Sequence, residues 1–226
     1  MTSSRGAAAP ATAAATVIKP PRRRRTPSAA QQQKNEETRR RLIEAAGRVV
    51  GKHGYAGASI ARITEKAGVA HGAFYLHFRS QQDLFDILLP TIGADMLAAI
   101  SEAIQDAGSL DELERRGFQA MIDYLVQHPH LWRVTTEAEL YAPKAHAQHL
   151  QSMTQRYVRS LQRSLAHDEV RDFDETELEA VAAMLMGARH YLITRHAVVG
   201  GKIRAVEGSL AETYVRLVLH GLKPRR

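Results

Sequence analysis

From Glu36 onward, apolar residues recur at three- and four-residue intervals, a pattern that predicts helices nearly throughout. Leu42, Ile43, Ala46, Val49 and Val50 form the stripe of a first helix, which Gly51 and Gly54 end. Ser59 is placed to cap a short second helix with Ile60, Ile63 and Ala67 on one face. Gly68-Val69 makes a tight turn, and His71 to His77 fits a third short helix. A fourth begins near Ser80 and carries Leu84, Phe85, Leu88 and Leu89 towards a kink at Pro90.

Start signals mark the later helices. Ser109 and Glu112 form a capping box before Leu113–Leu125. Pro129 precedes Leu131–Tyr141, and Pro143 precedes a long segment to about Leu165. Asp174 with Glu177 opens Leu178–Val199, and Ser209 with Glu212 caps a last helix to Leu219. No strand alternation and no internal repeat is visible, so the expected fold is all-α with about nine helices. The 178–199 segment is apolar on two sides. Leu178, Val181, Leu185, Ala188 and Leu192 form one stripe; Ala180, Met184, Gly187 and Tyr191 form another. One face then packs inward and the other meets a second subunit, unless the helix is simply central to one core.

Charge changes the picture only at one end. Of 31 Lys and Arg, seven precede residue 35 with no acid among them, leaving 24 against 24 Asp and Glu. The basic pI therefore belongs to residues 1–34, which lack large apolar residues and are expected to form a disordered basic tail. An Arg-rich transit peptide is the competing reading of that tail. No uninterrupted apolar run approaches the ~18 residues of a membrane span. Cysteine is absent, which removes disulfides, thiolate metal sites and cysteine nucleophiles together.

The informative stretch is 38–89. Two short helices joined by Gly68-Val69 have the size of a helix-turn-helix, whose second helix enters the DNA major groove. Ile60, Ile63, Ala67, Val69, Phe74 and Phe78 can floor such a unit, leaving His71, Tyr75 and His77 as polar groups pointing elsewhere. The segments Arg41-Leu42-Ile43-Glu44-Ala45-Ala46, Gly54-Tyr55, Ser59-Ile60-Ala61-Arg62-Ile63, Ala67-Gly68-Val69 and Gly72-Ala73-Phe74-Tyr75-Leu76-His77-Phe78, followed by Ser80 and Leu84, together resemble the TetR family of bacterial transcriptional regulators. The resemblance covers about fifty consecutive residues. It implies a cytoplasmic homodimer, a double-stranded DNA operator and a small-molecule effector, with residues 36–89 on DNA and 90–226 for effector and dimer.

By the same resemblance, Ser59 corresponds to a helix-start hydroxyl that touches phosphate. His71, Gly72 and Ala73 fall where base edges are read, and Tyr75 and His77 where the sugar–phosphate backbone is met. The chain departs from the common pattern at Ala70, a frequent Ser; Ala73, a frequent Thr; Thr64, a frequent Ala; and Gln81, a frequent Lys. Arg39, Arg40 and Arg41 are available to compensate, since a cation run at a helix start opposes the helix dipole and suits an external anion.

Neither a catalytic site nor a metal or other cofactor is expected. His146 and His149 sit three apart without a partnering carboxylate, and phosphate loops and nucleophile elbows are missing. Phe118, Met121, Trp132, Met153, Tyr157, Met184 and Tyr191 are candidates to line an effector pocket among the middle helices, against the plainer reading of core. Arg189, within an apolar helix, either binds an anionic effector or pairs with a carboxylate at the subunit contact. The expected function is thus a DNA-binding regulator, more specifically a repressor released by effector. The rivals are an architectural DNA-binding protein on the same fold and a helical enzyme.

Overall fold

The computed structural model describes residues 28–166 and 173–222. Most of the expected basic tail lies outside these residues, as do residues 167–172. The tail's expected limit at Lys34 moves, however, because helix α1 spans Ala29–Gly57 and already contains residues 29–34. Ser28 caps it, its Oγ accepting the Gln31 N–H. The polar run Gln31–Asn35 has no apolar stripe to announce a helix, but side-chain pairs such as Gln31 to Asn35 support one. α1 breaks at Gly54, whose φ of 73° and ψ of 168° suit glycine alone.

Helix α2, Ile60–Ala67, starts at the Ser59 cap and stops at Gly68 in the left-handed region. His71–Leu76 then forms a 3₁₀ helix rather than an α-helical turn. Together with α1 and the start of α3, Gln81–Ala103, these elements make a small head. Leu42, Ile63, Phe74, Leu84 and Leu88 are fully buried at its centre. Ser80 caps α3, its Oγ accepting the Asp83 N–H, and Asp83 accepts the N–H of Arg79 just before the cap.

α3 continues through Pro90 to Ala103, so the expected boundary at 89/90 falls inside a helix shared by head and body. Among the described residues, α3 is the one helix long and apolar enough, by length and composition, to cross a membrane. Asp86 and Asp95 interrupt the run, which is why no unbroken stretch showed it. Here α3 packs against α1, α4, α5 and α6 as an internal helix.

The body comprises α4 (Leu110–Gln127), α5 (His130–Tyr141), α6 (Pro143–Ala166), α7 (Leu178–Leu192) and α8 (Gly208–His220). Half of the expected Ser109–Glu112 box forms: the Glu112 N–H donates to Ser109 Oγ, while the Glu112 carboxylate reaches one residue past the cap to accept the Gly108 N–H. α7 gives way to a π turn, Ile193–Ala197, and a two-residue hairpin in which β1 (Val198–Val199) pairs antiparallel with β2 (Lys202–Ile203). The hairpin replaces the expected helical end at Val199. Gly200 and Gly201, both at positive φ, supply the tight turn, and two residues per strand are too few to show alternation. α8 begins at Gly208 with no side-chain cap, so Ser209 and Glu212 do not form the expected box.

One hydrophobic cluster runs from Leu42 and Phe74 in the head to Phe118, Leu131 and Tyr214 in the body. The junction is the packing of α1 on α5. A Cβ at Gly51 would lie 2.7 Å from the Cα of His130, and one at Gly54 would lie 2.7 Å from Arg133 Nη2. At Gly54 the obstacle is the end of a flexible side chain, but at Gly51 it includes backbone, which cannot yield. Gly51→Ala should therefore destabilise the protein by ~1–3 kcal/mol despite alanine's better helix propensity. Urea denaturation checks this; an unchanged or raised midpoint would show that the crossing is looser.

Candidate functional site

The head presents one exposed face built from the cap of α2 and the 3₁₀ helix. Ser59 is exposed, with its Oγ held by the Arg62 N–H at 3.3 Å. His71 and Gly72 are exposed, and a Cβ at Gly72 would meet nothing within 4 Å. Ala70 stands at the N-cap without a side-chain hydrogen bond, and Ala73 is half-buried behind it. Tyr75 is 56% exposed, its ring edge-on to Phe74 and His71, and Leu76 is 82% exposed. His77 is half-buried, and burial followed by the nearby Arg39 cation keeps its pKa below the ordinary value. The structure thus leaves Ser59, Ala70, His71, Gly72 and Tyr75 exposed on the head and His77 half-buried.

The other expected contacts have internal work. Arg40 pairs with Glu37 at 2.7 Å and Glu44 at 3.4 Å along its own helix. Arg39 lies over the Phe78 ring, 5.4 Å from its centroid. Gln81 donates from Nε2 to the Ala58 carbonyl at 2.7 Å, which ties α3 to the end of α1. Arg41 donates to the Ala67 and Gly68 carbonyls and so caps α2. Thr64 is buried, its hydroxyl bonded to the Ile60 and Ala61 carbonyls. Leu76 was not singled out in the sequence, since an apolar residue in a short helix reads as core.

In the body, α3, α4, α5, α6 and α7 surround a cavity of about 1110 Å³. Its wall includes Met121, Trp132, Met153, Tyr157 and Arg189, five of the eight residues expected there. The other three lie elsewhere. Phe118 is fully buried against Tyr214, at 5.0 Å between rings, while Met184 and Tyr191 point outward, 64% and 68% exposed. Met184 and Tyr191 share the outer stripe of α7, which the helix turns away from the cavity. Met96, Leu97 and Ile100 of α3 add apolar wall that the sequence did not distinguish from core.

Arg189 is buried and pairs with a carboxylate of its own chain. Its Nη2 donates to Glu114 Oε2 at 2.6 Å and its Nε to Tyr214 Oη at 3.0 Å. Tyr157 donates to Glu114 Oε1 at 2.6 Å, so the carboxylate is answered on both oxygens. Burial opposes the Arg189 charge, but Tyr157, Glu114 and Tyr214 outweigh it and raise the guanidinium pKa. Burial raises Tyr157 well above the ordinary phenol value and Tyr214 to about 12, so both remain hydroxyl donors. Glu114, at helical spacing from Phe118, Met121 and Leu125 on α4, is the residue that sequence reading missed; an acid on a buried helix face was the available signal.

His149 lines the other end of the cavity, buried, with its Nε2 lacking a hydrogen-bond partner among the described residues. Its ring occupies the space that a Cβ at Gly93 would need. His190 stacks on Trp132 at 4.8 Å beside it. Helix α5 joins cavity to head. Trp132 and Thr135 face the cavity, while Glu137 Oε2 accepts the Tyr55 N–H at 2.9 Å and Arg133 donates to the Lys52 carbonyl at 3.2 Å. At its end Tyr141 stacks on Tyr55 and accepts a hydrogen bond from Gln82.

The architecture is a helix-turn-helix head on a helical body with a cavity. Residues 42–88 match the family model for bacterial regulatory proteins of the tetR family. Over 61 residues the chain is 36% identical to the HTH-type transcriptional repressor AcnR of Corynebacterium glutamicum, covering 27% of this chain and 32% of that protein. The chain thus spans about a third of the length of the curated relatives it matches. The whole fold is similar to the fatty acid degradation regulator FadR from Bacillus halodurans, with a TM-score of 0.67, 19% identity, and coverage of 83% of this chain and 97% of that one. It is also similar to FadR from Bacillus subtilis in complex with stearoyl-CoA, with a TM-score of 0.64, 16% identity, and coverage of 81% and 99%. Residues 42–88 thus match the DNA-binding domain of the tetR family, and the rest of the chain shares its fold with solved structures of TetR-family regulators.

Burial, then the neighbouring His146, lowers the His149 pKa to about 4. As pH falls through about 6.5 the unfolded state takes up a proton that the folded state refuses until near pH 4, so stability drops across that window by ~3 kcal/mol. Urea midpoints from pH 7 to 4.5 should fall more steeply for the native protein than for His149→Gln. Parallel curves would show that the imidazole is not held neutral.

Proposed function

We propose that the protein is a homodimeric repressor that binds a near-palindromic operator and leaves it when an apolar small molecule fills the cavity. The observation that carries this reading is α5, a single helix that walls the cavity with Trp132 and Thr135 and grips the head through Glu137, Arg133 and Tyr141. A ligand that displaces α5 moves the end of α1 and the start of α3 with it. That changes the separation of two heads, which must meet successive major grooves about 34 Å apart. The ligand must favour the released arrangement by a few kcal/mol, because equal affinity for both would shift nothing.

On DNA, His71 is the side chain with a donor and an acceptor at the exposed start of the 3₁₀ helix. Gly72 and Ala73 let the backbone approach the base edges, and Leu76 suits a thymine methyl. Ser59 and Tyr75 offer hydroxyls to phosphate, which position the head without reading sequence. The dimer reading rests on Ala180, Met184, Ala188 and Tyr191, an uncharged exposed face along α7. Two such faces related by a twofold axis would match the symmetry of a palindrome. The stearoyl-CoA bound by the Bacillus subtilis neighbour supports a long apolar ligand for a cavity of this size.

Footprinting on the DNA upstream of the protein's own gene should reveal a protected near-palindrome. On that site His71→Ala should lose ~1–3 kcal/mol of discrimination against random DNA. Equal losses on operator and random sequence would reassign His71 to phosphate contact. Protection scattered without preference would favour an architectural protein instead.

A further inference from the structure

We infer that three arginines on α6, Arg156, Arg159 and Arg163, form a rim on the cavity that holds the head of an amphiphilic ligand bearing two or more negative charges. The inference rests on the reading of the cavity as a ligand site and assigns its polar end. All three arginines line the cavity and are exposed at its edge. Among the described residues, no carboxylate lies within ion-pair distance of any of them. The neighbouring helices behave differently. On α4, Arg115 pairs with Asp111 and Glu212, and Arg116 with Asp106 and Glu112; on α5, Arg133 pairs with Glu137.

Like charges three and four residues apart repel along a helix, so an anion that meets this row relieves a repulsion that no described carboxylate offsets. The available protein contacts are weak: Arg156 to Ser101 Oγ at 3.5 Å and Arg163 to Ser160 Oγ at 3.3 Å. Both hydroxyls lie on the cavity wall and can also donate to an oxyanion. From Arg156 to Arg163 the helix rises about 10 Å, more than a single carboxylate spans. Two phosphate groups fit that spacing, and a guanidinium holds each in a two-pronged hydrogen bond.

The remaining wall fixes the ligand's direction. His149 lies about 21 Å along α6 from Arg163, against Gly93 of α3, and Trp132 and Thr135 of α5 line the same cavity. Met96, Ile100 and Met121 line the space between. A ligand with its head on the arginines thus drives its apolar end against α5, the helix that grips the head domain. Arg189 plays no part, since Glu114 already neutralises it.

Trp132 is the protein's single tryptophan, so its fluorescence reports occupation of the inner end. Titration of the full-length protein with stearoyl-CoA and with stearate should show the thioester binding about tenfold tighter or more, with affinity falling as salt rises. The variant R156Q/R159Q/R163Q should lose about that tenfold for stearoyl-CoA, flatten the salt dependence and bind stearate as before. R159Q alone should change both readouts in the same direction. Stearoyl-CoA bound equally well, with the same salt dependence, by native protein and triple variant would overturn the arginine assignment alone. Native protein that answers neither probe would overturn the reading of the cavity, and this assignment with it.

Discussion

Where α1 crosses α5, Gly51 approaches the His130 backbone so nearly that no side chain larger than hydrogen fits between them. Three turns of α5 then follow the end of α1, with Leu131, Val134 and Ala138 fully buried along the seam. The tight crossing makes α5 a part of the head as much as of the body. Close-packed helices do not deform continuously, so a push on one is passed on as a rigid displacement. The Glu137 bond to the Tyr55 N–H falls beside Gly54, where α1 has already broken and a backbone donor would otherwise lack its helical partner.

The cavity places its demands on the other side of that same helix. Its floor is a buried ion pair, Arg189 with Glu114, each surrounded by Tyr157 and Tyr214. Desolvated charges are tolerable only when fully answered, and here four helices contribute to the answer. The network fixes α4, α6, α7 and α8 against one another, while α3 and α5 wall the cavity from outside it. Rigid wall on one side and a head-bearing helix on the other is the arrangement a coupling device needs.

Much of this was legible along the chain. Ser59, Ser80 and Ser109 announced their helices because a cap is a local bond, and Gly68 announced its turn because only glycine readily adopts that backbone. The helix-turn-helix was readable from its spacing of glycines and aromatics. What escaped depended on partners far away in sequence. Gln81 is spoken for by a carbonyl 23 residues earlier, and Arg189 by a carboxylate 75 residues earlier. Met184 and Tyr191 looked like pocket residues by type, but the rotation of α7 decides which face they share. Residues 29–34 form a helix without an apolar stripe, and the arginines of α6 look like any solvated face until the cavity is seen beside them.

The central claim is that ligand and DNA act on one another through α5, and linkage makes that claim symmetrical. The direct measurement is the affinity for an operator fragment with and without saturating stearoyl-CoA, alongside the affinity for stearoyl-CoA with and without saturating operator. Both affinities should fall by the same factor, about tenfold or more. Stearoyl-CoA that binds the cavity while operator affinity stays unchanged would contradict the account.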